Sequence, residues 1–375
     1  VSDVPERWAW AEVDLDAIAH NVRTLRQLVA PSALLAVVKA DAYGHGAVPV
    51  ARAALAAGAT SLGVALTQEG LELRAAGIDA EIMLLSQQPP EQAAAIVAHH
   101  LTPVVYTAEG VAALAAVAPP GYPVQVKIDT GMHRVGVGPA DAVALVDAVV
   151  AAGLSLAGVF THLAVADEPL DPFTAAQLDQ FEAVLSALRA AGHEPPLVHA
   201  ANSAGLLAHP AARCDVVRAG IALYGIEPGP QLGGHVTGLR PAMTLKSRIS
   251  HVKRVAAGER ISYGLRYTFG GDANVATVPV GYADGVPRRL AGTGGQVLIG
   301  GRRLPIAGVV TMDQLTIDAG DVPIHVGDEV VLLGRQGDEL IRAEEWAERL
   351  GTIPYEVVCG ISARIARRYL GGPAG

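Results

Sequence analysis

The sequence predicts an α/β protein: a (β/α)8 barrel over residues 14–235, joined to a C-terminal, mostly β domain of residues 236–375 that also takes in residues 1–13. Three observations lead there. Eight short apolar stretches, at 34–39, 61–66, 81–85, 101–106, 124–129, 156–162, 197–202 and 215–220, alternate with alanine-rich segments, clearest at 47–58, 67–77, 90–100, 107–118, 139–153 and 174–191. Such alternation specifies parallel strands with intervening helices, and eight repeats specify a closed barrel. The stretch 227–240, rich in Pro and Gly, then breaks the pattern and reads as a linker. Beyond it, strand-like segments at 243–255, 273–280, 296–299, 306–311, 315–318 and 329–333 are divided by Gly, Asp or Pro turns, the texture of an antiparallel sheet. A doubly wound open sheet is the competing architecture; the lack of a Gly-x-Gly-x-x-Gly after the first strand weakens it.

Each element has a local reason. Residues 8–13 read as a short strand that precedes the barrel and is expected to pair with the β domain. Asp14 can cap a helix running to about Val29, with Leu15, Ile18, Val22, Leu25 and Leu28 at helical spacing. A late helix, Ala343–Leu350, interrupts the β domain. A chain of 375 residues, 51% hydrophobic and 17% charged, can bury a large core. Its net charge of −9 argues against a nucleic-acid partner, because phosphates need a cationic surface. No signal peptide is expected, since Asp3, Glu6 and Arg7 come early, and no apolar run is long enough to cross a bilayer. Cys214 and Cys359 are too few for a disulfide framework, so a cytoplasmic location is expected, with no membrane partner and no metal.

The first apolar run ends on Lys39. Of 28 cationic side chains only four are lysine (Lys39, Lys127, Lys246 and Lys253) and the other 24 are arginine. A chain that uses arginine almost everywhere needs an amine where it keeps lysine, because arginine cannot be deprotonated. Desolvation at a strand mouth lowers an ammonium pKa and frees the amine to attack a carbonyl, as in a Schiff base. The alternative is a lysine that merely snorkels to solvent. Lys39; Lys127 and Asp129; His162; His199, Asn202 and Ser203; and Arg218 with Gly220 all end strands, where such barrels gather chemistry. Phosphate sites in these barrels often use the last two loops, here Ala-Asn-Ser-Ala with Ser203 and Arg-Ala-Gly-Ile with the Gly220 and Ile221 amides. Arg218 paired with Asp215, and Lys127 paired with Asp129, remain open as simple ion pairs.

Residues 38–46, Val-Lys-Ala-Asp-Ala-Tyr-Gly-His-Gly, resemble the pyridoxal-phosphate site of alanine racemases, and similar motifs recur through both domains. The resemblance implies that Lys39 carries pyridoxal 5'-phosphate as an imine and that Tyr43 touches its phosphate. It implies that Arg218 faces the pyridine nitrogen, which an arginine cannot protonate, so the ring is a weak electron sink suited to racemisation. Lys127 is implied to be carbamylated and to hold Arg134, which binds substrate carboxylate. His133 stands where the family has a smaller residue, and Ala366 where it has proline. Ile261-Ser262-Tyr263-Gly264 resembles the segment of the second catalytic base, with Tyr263 facing Lys39. A phenol titrates near 10, so use near pH 7 needs roughly 4 kcal/mol of phenolate stabilisation; a cationic relay through His162 and Arg218 is the expected source. A core tyrosine with a bonded hydroxyl is the alternative. The segments around Tyr282, around Met312 and Asp313, and around Tyr355 resemble entrance, substrate-carboxylate and phosphate-reaching parts. Tyr263, Tyr282, Met312 and Asp313 are implied to serve the site of a second copy, in a head-to-tail homodimer. The implied activity is interconversion of L- and D-alanine, supplying D-alanine for peptidoglycan. Broader specificity (serine), a pyridoxal-phosphate-binding regulatory protein, and a fold-related decarboxylase are the alternatives; the last would want a carboxylate where Arg218 stands.

Overall fold

A computed structural model describes residues 7–232 and 238–372. Its described residues divide into two compact units, 16–232 with 238–240, and 7–15 with 241–372. The 227–240 linker and the 235–236 boundary fall partly or wholly on residues outside those described; within 227–232 the chain makes a short turn, Pro230–Leu232.

The strands before the linker are β1 (Ala9–Asp14), β2 (Ala33–Val37), β3 (Ser61–Val64), β4 (Glu81–Leu84), β5 (Val104–Val105), β6 (Pro123–Lys127), β7 (Ser155–Phe160), β8 (Val198–His199) and β9 (Val216–Ala219). Strands β2 to β9 form the barrel unit. β9, β2, β3 and β4 pair in parallel, as do β5, β6, β7 and β8. A parallel bridge between Met83 and Thr102 joins the two groups on one side. Arg218 N to Ala201 O (3.0 Å) and Asp215 N to Val198 O (2.9 Å) join them on the other, closing a ring of eight. Such strands are buried on both faces, so they read as unbroken apolar runs; Leu34, Leu62, Ile82, Val126 and Val159 have no exposed surface.

The strands are shorter than the apolar runs. β5 keeps only two residues because Pro103 has no N–H to donate to the ladder, although Thr102 still bridges. β2 ends at Val37, so Lys39 lies beyond the strand rather than at its tip. The expected run 197–202 is a regular strand only at Val198–His199, although Ala201 O still accepts from Arg218 N; Asn202 is already a helix cap.

In the second unit the strands are β10 (Met243–Arg248), β11 (His251–Val255), β12 (Arg260–Ile261), β13 (Tyr267–Thr268), β14 (Ala273–Val278), β15 (Gln296–Ile299), β16 (Arg302–Ala307), β17 (Leu315–Asp318), β18 (Glu329–Gln336), β19 (Glu339–Ile341) and β20 (Ala366–Leu370). The main sheet runs β11-β14-β17-β16-β15-β18-β10-β1-β20, with β1 antiparallel to β10 and parallel to β20. The N-terminal strand thus joins the β unit. The expected strand at 306–311 instead spans 302–307: Gly308, at φ +84, turns the chain out, and a Cβ there would sit 2.4 Å from that of Ser262. Two helices follow, Ala343–Leu350 and Pro354–Cys359. No helix among the described residues is long and apolar enough to cross a membrane.

Candidate active site

After β2 the chain makes a left-handed turn. Ala40, Asp41, Ala42 and Tyr43 have φ of 53°, 51°, 53° and 54°, and Gly44 has φ 80°. For non-glycine residues this costs about 1–2 kcal/mol each, so surrounding contacts must impose it. Asp41 Oδ1 accepts from Ala47 N (2.7 Å), and Asp41 O accepts from Gly46 N (2.9 Å). His45 Nδ1 lies 3.0 Å from both Ala42 O and Tyr43 O, so it is the protonated nitrogen. Ala40 N donates to Glu69 Oε1 (2.6 Å). The turn presents Lys39 at its start and Tyr43 near its end. The Tyr43 ring packs on Tyr224, with centroids 4.9 Å apart, and Tyr224 is anchored through its hydroxyl to Val37 O (2.9 Å).

The turn delivers the Tyr43 hydroxyl to the loop after β9. A Cβ built on Gly220 would lie 2.7 Å from that hydroxyl and 3.6 Å from Ser203 Oγ. Ser203 Oγ accepts from Gly220 N (2.8 Å) and Ala222 N (3.3 Å), at the start of the short Ile221–Tyr224 turn. Two hydroxyls and the start of a helical turn therefore crowd one point that only glycine leaves open. That chemistry suits a phosphate. Asn202 is used differently: its Oδ1 caps the Ser203–Ala208 helix through Gly205 N (2.9 Å), and its Nδ2 donates to Leu163 O (3.3 Å).

Arg218 lies within β9 and is 3% exposed. Its guanidinium donates to Thr161 O (2.8 Å), Ala200 O (2.9 Å), His199 Nδ1 (3.0 Å) and His162 Nδ1 (3.2 Å). Because it supplies the protons, each imidazole must carry its own on Nε2; that of His199 faces Gln125 Oε1 at 3.4 Å. Burial, and then the charge of Arg218, pushes both histidines well below their ordinary value. They are neutral at pH 7, while Arg218, pushed down to about 10 by burial, stays charged. A relay with positive charge on both His162 and Arg218 is therefore not what this geometry builds. Asp215 forms no ion pair with Arg218 among the described residues; its Oδ2 accepts from Val198 N (2.8 Å).

Lys127 is buried, with Nζ 5.5 Å from the Phe160 ring centroid, and that ring stacks on His199. Burial brings its ammonium down to about 8, helped by the charges of Arg218, Arg134 and Lys39. Four cations thus share one end of the barrel. Asp129 does not pair with Lys127. Its Oδ1 accepts from Gly131 N and His133 N, both at 3.0 Å, and its Oδ2 lies 3.5 Å from His133 Nδ1. Arg134, next in the chain, is exposed.

Gln177 is a supporting residue that the sequence reading missed. Buried at 1% exposure, it donates to His162 O (3.1 Å) and Thr130 Oγ1 (3.2 Å) and accepts from Ala164 N (2.8 Å). It ties the loops after β6 and β7 together. Its signal was a glutamine on the inward face of the Phe173–Ala190 helix, in step with Thr174, Phe181 and Val184.

The remaining candidates lie in the β unit. Tyr263 is carried on the tip between β12 and β13 and is 74% exposed; Tyr282 is 41% and Met312 53% exposed. Tyr355 is half-buried on its helix. Tyr282 N donates to Thr311 O (2.9 Å) and Ala283 N to Met312 O (3.0 Å), so those two loops are bonded to each other. The fully buried Asp284 carboxylate locks them: it pairs with Arg7 (2.6 Å) and Arg364 (3.4 Å), and Arg364 reaches Asp313 (2.7 Å). Among the described residues no cluster of ligands could hold a metal.

Residues 13–228 match the alanine racemase N-terminal domain family and residues 242–369 its C-terminal domain family. The alanine racemase of Symbiobacterium thermophilum is 49% identical, over 98% of each chain. Two crystal structures superpose closely. The alanine racemase of D-cycloserine-producing Streptomyces lavendulae is 42% identical with TM-score 0.93, covering 99% of both chains. That of Bacillus anthracis with bound L-Ala-P is 38% identical with TM-score 0.90, covering 98% of this chain and 96% of that one.

Proposed function

The chain belongs to the alanine racemase family, and on that premise we propose how its residues carry the reaction. It is an isomerase that interconverts L- and D-alanine, a small amino acid. The family depends on pyridoxal 5'-phosphate. One observation carries the reading that this chain holds it: the Tyr43 hydroxyl, Ser203 Oγ and a glycine meet at the end of the turn that presents Lys39.

Bound there, the cofactor withdraws electrons from the substrate and acidifies its Cα–H. Lys39 anchors it covalently. Tyr43, Ser203 and the Ile221 amide hold its phosphate, Gly220 leaving room for it while its N–H is bonded to Ser203 Oγ, with Tyr355 reaching the same group and Asn202 shaping the loop. Arg218, held by His162 and His199, sets a fixed charge against the ring. Having no proton to give near pH 7, it keeps electron withdrawal weak and disfavours transamination. Arg134 and the Met312 amide hold the substrate carboxylate. Lys39 exchanges the proton on one face of Cα and Tyr263 on the other.

Lys127 is the carbamylated lysine. Its amine, partly neutral near pH 8, attacks CO2 and releases a proton; the resulting anion attracts Arg134 instead of repelling it.

Tyr263, Tyr282, Met312 and Asp313 serve a second copy in a head-to-tail homodimer. The support is exposure: a catalytic phenol needs a water-excluded site, and Tyr263 is 74% exposed in one chain. The enzyme acts in the cytoplasm, making D-alanine for the cell wall. A barrel-only regulatory protein is disfavoured by the match over residues 242–369. Racemisation of serine beside alanine remains the broader form of this reading.

The test is incubation of purified protein with L-alanine and no added cofactor, followed by assay for D-alanine. Appearance of D-alanine supports the reading. A Tyr263→Phe variant that racemises normally in both directions removes the two-base assignment. A Lys39→Ala variant that keeps the visible absorbance of lysine-bound cofactor removes the anchor.

A further inference from the structure

Glu69 belongs to none of the motifs above. It lies in the first turn of the Thr67–Ala75 helix, half-buried, and its two oxygens do separate work. Oε2 accepts from Ala65 N (2.7 Å) and Leu66 N (3.0 Å), the loop leaving β3. This is an ordinary arrangement for a glutamate at the third position of a helix. Oε1 accepts from Ala40 N at 2.6 Å. That amide belongs to the peptide unit joining Lys39 to the first left-handed residue, so fixing its N–H fixes the backbone from which the Lys39 side chain leaves.

Helix capping needs only one carboxylate oxygen. The second bonds the start of a turn with four left-handed residues, which its own loop holds only from the other end. A short bond to an ionised acceptor is of the strong kind. It links the Lys39 peptide to the end of the neighbouring strand, since β2 and β3 are paired. We propose that Glu69 is a positioning residue for Lys39: its carboxylate braces the Lys39–Ala40 peptide and so aims the Lys39 amine. The proposal rests on the reading of Lys39 as the cofactor anchor.

Gln88 supplies a control. It holds the same helix start from the other side, accepting from Thr67 N (3.3 Å) and donating to Ala65 O (3.0 Å) and Ser86 O (2.9 Å). None of these bonds reaches residues 39–46. Glu69→Gln keeps the size of the side chain but leaves one oxygen for two sets of donors, and turns an N–H toward one set.

The experiment compares the holoenzymes of wild type, Glu69→Gln and Gln88→Ala in three measurements: thermal midpoint, kcat/KM, and the pH midpoint of the visible band of lysine-bound cofactor. The expected result for Glu69→Gln is a fall of about 10- to 100-fold in kcat/KM with a displaced pH midpoint. Gln88→Ala is expected to lose thermal stability and keep both other values. Equal losses of thermal stability in the two variants, with pH midpoint and kcat/KM as in wild type, would overturn the proposal. A wild-type protein that shows no visible band when pyridoxal 5'-phosphate is supplied refutes the Lys39 reading instead. Should Glu69→Gln not fold, the same measurements on Glu69→Asp decide: its carboxylate falls one methylene short of Ala40, and an unshifted pH midpoint again overturns the proposal.

Discussion

Gly220→Ala tests the cradle directly. The new methyl would lie 2.7 Å from the Tyr43 hydroxyl, closer than carbon and oxygen tolerate, so something must move. Tyr43 is poorly placed to yield. Its ring packs on Tyr224, and its backbone is committed to the left-handed turn. Overpacking of this kind costs about 1–3 kcal/mol. Displacing the hydroxyl from a phosphate removes a hydrogen bond to a charged group, about 1.5–3 kcal/mol, or ~10- to 150-fold in cofactor affinity. The assay is a double-mutant cycle with Tyr43→Phe, read by cofactor titration and thermal unfolding. Tyr43→Phe alone should weaken cofactor binding. Adding Gly220→Ala in that background should cost little further stability, because the clashing oxygen is gone. Equal stability losses from Gly220→Ala in both backgrounds would show that the hydroxyl is not where the methyl goes, and the cradle argument would fail.

Other expectations follow from the same geometry. Ala40→Gly relieves a left-handed residue that is already exposed, so stability should hold or rise by about 0.5–1 kcal/mol in chemical denaturation, while kcat falls as the turn loosens; a clear loss of stability would contradict the strain argument. Lys127 falls from 10.5 to about 8 on folding, which corresponds to roughly 3 kcal/mol. Between those values the unfolded chain binds the extra proton, so this lysine's contribution to stability rises with pH from about 8 to 10.5 and is unfavourable below. In CO2-free buffer Lys127→Met should therefore raise the thermal midpoint near pH 7, with the difference from wild type shrinking as pH rises toward 10.5, and bicarbonate should stabilise wild type alone. Asp284→Asn removes the buried partner of Arg7 and Arg364, which are themselves partly exposed, and should cost about 1–3 kcal/mol, seen as a lowered denaturation midpoint; an unchanged midpoint would mean the pairs are idle. Arg7 and the surrounding amides hold the Asp284 carboxyl below the usual range against the opposing effect of burial, so its contribution should disappear as pH falls through that depressed value.

The barrel was legible because its strands are buried on both faces. Such strands need not alternate, so β2, β3, β4 and β7 appear as mainly apolar runs between alanine-rich helices, whereas β6 alternates in sequence and still buries Gln125 and Lys127. The β unit was legible through its turns. Its last strand was not: β20, Ala366–Leu370, carries two arginines and a half-exposed pattern, and only pairing with β1 makes it a strand. The residue types at the barrel mouth were legible for a similar reason. A lone lysine, an arginine, two histidines and a serine ending apolar runs are conspicuous against such a background.

What the tertiary structure alone decided is how those groups are held and charged. No glycine occurs in Ala40–Tyr43, so local preference argues against a left-handed turn there; Asp41 and His45 bond it from within the loop, and Glu69, distant in sequence, reaches it only because β2 and β3 pair. The neutrality of His162 and His199 likewise depends on burial beside Arg218, and the low ammonium value of Lys127 on burial first and three other cations second. Residue type and periodicity are local properties of a sequence. Desolvation, mutual charge and imposed backbone strain are properties of neighbours far apart in it, and they arise only in the folded chain.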